Sequence, residues 1–85
     1  MLTEDHRPNT IYVGNICKEA CLQEELIHAA FIPFGEILGI QVTTDPATGQ
    51  PLGYAHIEYG EADDCQHAIL NMNGSEFFGK TLKVM

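Results

Sequence analysis

Leu52-Gly53-Tyr54-Ala55-His56-Ile57-Glu58-Tyr59 is the stretch whose reading decides the fold. Successive side chains of a strand point to opposite faces, so Tyr54, His56 and Glu58 share one face while Ala55, Ile57 and Tyr59 share the other. The second set reads as core. The first sets flat rings and a carboxylate beside a glycine, which makes a poor solvated surface and a good stacking platform.

Upstream, Asp45-Pro46-Ala47-Thr48-Gly49-Gln50-Pro51 has the composition of an exposed hairpin loop. Before it, Ile37 to Thr43 alternates as a strand, with Ile40 and Val42 inward, Gln41 and Thr43 outward, and Gly39 as its weak point. Downstream, Gly60 closes the octamer's strand, and Glu61-Ala62-Asp63-Asp64 opens a helix whose carboxylates complement the positive end of its dipole. Ala62, Cys65, Ala68, Ile69 and Met72 form its buried stripe, and Asn71-Met72-Asn73-Gly74 stops it in left-handed geometry. Phe77-Phe78-Gly79 makes an apolar corner before a last strand, Thr81 to Met85, with Leu82 and Val84 inward and Lys83 outward.

In the first half, Met1 to Asn9 is polar and reads as a loose arm in which Arg7 alone has a candidate binding role. Thr10 to Gly14 is a strand with Ile11 and Val13 inward and Tyr12 outward, and Gly14-Asn15 leaves it. Leu22, Leu26, Ile27, Ala30 and Phe31 recur at helical spacing, so a helix is expected from about Leu22 to Phe31, ended by Pro33 and turned at Phe34-Gly35. The order is strand, helix, strand, strand, helix, strand. It predicts an α+β, ferredoxin-like βαββαβ domain over residues 10–85, a four-stranded antiparallel sheet with two helices on one face. The other sheet face is left for Tyr12, Tyr54 and His56.

Four basic against twelve acidic residues give a formal charge of −8, which disfavours any function resting on attraction to phosphates. No apolar run is long enough for a membrane span, and the N-terminal residues lack a signal-peptide pattern, so an intracellular soluble protein is expected. Cys17, Cys21 and Cys65 then read as reduced thiols. With His67 they suggest zinc, but the first pair falls in a loop at an offset unlike known sites and Cys65 faces inward on its helix, so neither a metal nor a cofactor is expected. Arg7 in the arm and Lys18 in a loop have no partner constellation for catalysis.

With the element order and exposed rings in view, the chain resembles an RNA recognition motif. Ile11-Tyr12-Val13-Gly14-Asn15-Ile16 matches the family's shorter signature at each position, and the octamer matches the longer one except at Leu52 and His56. The resemblance implies that Tyr12 and His56 stack on bases, that Tyr54 packs on sugar, and that Leu52 replaces a cation that would meet phosphate. Asn15, Gln41, Thr43 and Lys83 are the expected polar supports, with Lys80 and Arg7 as further counter-charges. The implied ligand is short single-stranded RNA, bound weakly to moderately by a monomer.

The run His28 to Ile37, with Asn71 to Glu76, is also similar to the RNA-recognition domain of a nuclear cyclophilin-type prolyl isomerase. That likeness implies a nuclear setting, otherwise a cytoplasmic one, within a longer isomerase whose catalytic domain these residues do not include. The rival reading is a protein partner on the sheet or the helices, which an acidic chain suits. One peptide-binding class of such domains pairs an acidic first helix with an Arg-x-Phe motif. Glu24 and Glu25 fit the first feature, but Glu76-Phe77-Phe78 lacks the arginine.

Overall fold

The computed structural model describes residues 9–85. Arg7 and the rest of the expected arm up to Pro8 lie outside the described residues. The elements are β1 (Thr10–Gly14), α1 (Lys18–Cys21), α2 (Glu24–Phe31), β2 (Ile37–Thr44), β3 (Pro51–Tyr59), α3 (Ala62–Met72), β4 (Glu76–Phe77), β5 (Lys80–Thr81) and β6 (Lys83–Val84). A four-stranded sheet has the order β2-β3-β1-β6 with every neighbouring pair antiparallel, and the helices cover one face of it. This is the expected ferredoxin-like arrangement.

Alternation along the two central strands creates the core. Ile11 pairs with Ile57 and Val13 with Ala55, and all four are buried. Ile27 and Phe31 of α2, Ala20 and Cys21 of α1, and Cys65 and Ala68 of α3 close over them. Each large side chain buried in this way contributes about 1.5–3 kcal/mol. Tyr59 is the largest of the fully buried residues, and its phenol donates a 2.6 Å hydrogen bond to the Phe31 carbonyl at the end of α2. Its own backbone N–H donates to Asn9 O at 2.8 Å, and Asn9 Nδ2 donates to Gly60 O at 3.3 Å, so Asn9 is tied to β3. The β2–β3 connection is a hairpin loop closed by Asp45 N–H donating to Gln50 O, with Gly49 at φ 77°.

The structure corrects several local expectations. The first helix is divided: α1 occupies Lys18–Cys21, and α2 starts only at Glu24. Leu22, expected in the buried stripe, is 66% exposed at the break between them. Lys18, Cys17 and Cys21 therefore belong to a one-turn helix and its cap, where a loop was expected. The last strand is shorter than Thr81 to Met85, because Thr81 pairs with Glu76 in a separate two-stranded hairpin. Phe78 and Gly79, at φ 51° and 86°, make its turn. At the end of α3 the left-handed residue is Gly74, while Asn73 is extended and its Oδ1 accepts the Val84 N–H at 3.0 Å.

Burial pushes the Tyr59 phenol well above its ordinary pKa, helped by nearby Cys65 and Asp64. Burial likewise raises the thiols of Cys21 and Cys65, with Cys17 and Asp64 respectively adding to the effect. These groups stay protonated in the folded state at pH values where the unfolded chain ionises, so the stability they hold is present below the unfolded pKa and lost as pH rises. Urea unfolding should therefore show stability falling above about pH 8.5, where unfolded thiols ionise, and more steeply above about pH 10. Tyr59→Phe should lower stability at pH 7 by about 1 kcal/mol, since it removes the buried hydrogen bond to the Phe31 carbonyl, and should flatten the decline above about pH 10.

Candidate nucleic-acid interface

The register that buries Ile11 and Ile57 also assembles the opposite face. Tyr12 lies opposite His56, and His56 lies opposite Gln41. On the other side, Tyr12 N–H donates to Met85 O at 2.8 Å and Met85 N–H to Tyr12 O at 3.0 Å. Met85, Tyr12, His56 and Gln41 thus form one row across the sheet. Tyr54 stands two residues before His56 on the same face. Gly14 pairs with Lys83 at the Tyr54 end, and Thr10 and Gly39 both pair with Glu58 at the other.

The three rings touch one another. Centroids are 5.6 Å apart for Tyr12 and Tyr54, 5.8 Å for Tyr12 and His56, and 6.2 Å for Tyr54 and His56, with interplanar angles of 35°, 66° and 87°. These spacings are those of favourable aromatic pairs. The Tyr12 ring lies across Gly14, where an added Cβ would come within 2.5 Å of its hydroxyl and 2.7 Å of its Cε1. Gly14 therefore leaves the space into which Tyr12 leans towards Tyr54.

Of the expected polar supports, Asn15 and Lys83 border the rings on the β6 side, in a concavity of about 540 Å³ that also includes Leu52 and Lys80. The two lysines supply there the positive charge that Leu52 does not. Asn15 takes a left-handed φ of 62°, and its Nδ2 donates a 2.8 Å hydrogen bond to Thr81 O, so its amide fixes the hairpin that carries Lys80. Gln41 borders His56 on the β2 side. Thr43 sits at an irregularity of the β2–β3 register and lines neither concavity. Met85, 61% exposed beside Tyr12, was not among the expected site residues, although the alternation that places Lys83 outward also reaches it. Among the described residues no group of His, Cys, Asp and Glu could hold a metal ion, and no helix is long and apolar enough to cross a membrane.

An antiparallel sheet with helices on one face and touching rings on the other defines a ferredoxin-like domain with an open sheet face. The chain belongs to the RNA recognition motif family, whose model matches residues 11–83. It is 40% identical over 74 residues to a poly(U)-binding splicing factor of Drosophila melanogaster, covering 87% of this chain and 11% of that protein. It is 35% identical over 80 residues to the tau variant of cleavage stimulation factor subunit 2 of Homo sapiens, covering 94% of this chain and 13% of that protein. The chain thus spans only a small part of these relatives. Among solved structures, an RNA15 recognition motif with bound RNA (GU) superimposes with a TM-score of 0.78 at 28% identity, over 91% of this chain and 80% of that one. The domain is a binding module of a family of RNA-binding proteins and is not catalytic.

Filling the space at Gly14 should disturb the ring cluster and spare the core. In Gly14→Val, NMR ring-proton shifts of Tyr12 and Tyr54 should move while the methyl shifts of Ile11 and Ile57 stay within ordinary variant scatter.

Proposed function

We propose that this domain binds short single-stranded RNA across its open sheet, with Tyr12 and His56 stacking on successive bases and Tyr54 packing on the sugar between them. The observation that carries the reading is the cluster of three touching rings on the solvent face of β1 and β3. Unstacked bases offer flat faces that such rings cover regardless of sequence. Lys80 and Lys83 beside Tyr54 are placed to meet phosphate, with Gln41 at the far side for a base edge. The splicing and cleavage factors among the relatives support a nuclear role in RNA processing.

The binding is weak to moderate because few cations take part. Two or three phosphate contacts correspond to a log–log salt slope of about −2 or shallower for a single strand. A chain of net charge −8 also suits a protein partner on the same sheet or on the helices, which is the second reading.

Isothermal titration with mixed-sequence single-stranded hexamers separates the two. Tyr12→Ala and Tyr54→Ala should each weaken RNA binding by about 1–3 kcal/mol. Raising salt from 50 to 200 mM should weaken the wild type by no more than about twentyfold. Unchanged RNA affinity in both alanine variants would remove the rings from the site and leave the protein partner as the better reading.

A further inference from the structure

One carboxylate on the sheet face is flanked by small neighbours on both sides. Glu58 pairs with Thr10 on β1 and with Gly39 on β2, both small, while Leu38 is bulged out of the β2–β3 register beside Gly39 and does not line the space at Glu58. A concavity of about 340 Å³ opens there, lined by Thr10, Gly39, Ile40, Gln41, His56 and Glu58. A Cβ added at Gly39 would meet nothing within 4 Å, which makes this flank open space. Glu58 is half-buried, and its carboxylate accepts no hydrogen bond from the described residues. Thr10 Oγ1 is out of solvent and has no partner among the described residues either. His56, the last ring of the cluster, forms one wall.

We propose that this concavity receives one base of the RNA and that Glu58 selects guanine in it. The inference rests on the sheet-face RNA reading and adds the identity of one base. Bases of single strands are read on their Watson–Crick edges, and an ionised carboxylate is an acceptor only, with two oxygens to fill. Guanine presents two adjacent donors on that edge, N1–H and N2–H, which meet the two oxygens side by side in charge-assisted hydrogen bonds. Adenine and cytosine offer one amino group next to an unprotonated ring nitrogen, whose lone pair faces the second oxygen. Uracil offers one N–H between two carbonyl oxygens. Three of the four bases therefore set a lone pair against the carboxylate, and guanine does not. The Gln41 amide lies in the same concavity, within the space the base would fill, and can donate to a guanine carbonyl.

The charge layout agrees with this assignment. Lys80 and Lys83 stand at the Tyr54 end of the rings and Glu58 at the opposite end. A strand lying across the sheet can set phosphate near the lysines and a base edge, which carries no net charge, against the glutamate. The same carboxylate that disfavours backbone phosphate is thereby satisfied by a base.

The test is fluorescence anisotropy with a uridine heptamer carrying G, A, C or U at its centre, titrated with wild type, Glu58→Gln and Gly39→Leu. In the wild type the guanine oligomer should bind about tenfold more tightly than the all-uridine one, the scale of one bidentate base contact. Glu58→Gln replaces one acceptor oxygen by a donor and should bring all four oligomers within about threefold of one another, the bidentate discrimination being lost. Gly39→Leu, whose side chain grows into the open flank, should abolish the preference in the same way. Equal affinity for the four oligomers in the wild type, or a guanine preference that survives Glu58→Gln, would overturn the guanine assignment and leave RNA binding on the rings intact. No binding of any oligomer, with Tyr12 ring protons unshifted by NMR, would overturn both.

Discussion

The antiparallel pairing of β1 with β3 is the constraint on which the rest of the structure depends. It sets Ile11 against Ile57 on one side of the sheet and Tyr12 against His56 on the other. A slip of one residue would carry Tyr12 into the core and Ile11 to the surface, because strand side chains alternate with period two. The helices hold the register by covering the apolar side, with Tyr59 joined to the end of α2 through the Phe31 carbonyl. The ring cluster is the outward image of the same pairing, so the stability of the core and the geometry of the open face have one origin.

The chemistry of that face is divided along the strands. Rings occupy its middle, two lysines one end and a carboxylate between small residues the other. Much of the remaining acidity sits at the starts of α2 and α3, in Glu24, Glu25, Asp63 and Asp64, where it complements helix dipoles on the side of the sheet away from the rings. A chain of net charge −8 can therefore keep a face suited to single-stranded RNA, provided that affinity comes from stacking and base edges more than from phosphate.

The fold was legible in the sequence because its strongest signals are periodic. Alternation in Thr10–Gly14 and Pro51–Tyr59 and the apolar stripe of Ala62–Met72 identify the central strands and the last helix. The division of the first helix was not legible: Leu22 continues the helical spacing in sequence, yet the chain breaks at Leu22-Gln23 and exposes it. The corner at Phe77-Phe78-Gly79 was legible, but not the β4–β5 pairing it closes, because Phe78, a non-glycine residue, takes positive φ beside Gly79 and Glu76-Phe77 and Lys80-Thr81 are too short to alternate. The ring face was legible from period two alone, whereas its flanks were not. The contact of Met85 with the Tyr12 row, the use of the Asn15 amide to hold Thr81, and the small-acid-small arrangement of Gly39, Glu58 and Thr10 depend on which strands are neighbours.

The proposed RNA site lies on the rings of the open sheet. Intermolecular NOEs from isotope-labelled protein to an unlabelled single-stranded RNA test it most directly. The Tyr12 and His56 ring protons should show NOEs to base protons, and those of Tyr54 to ribose protons. NOEs confined to the exposed faces of α2 and α3, with the three rings silent, would contradict it.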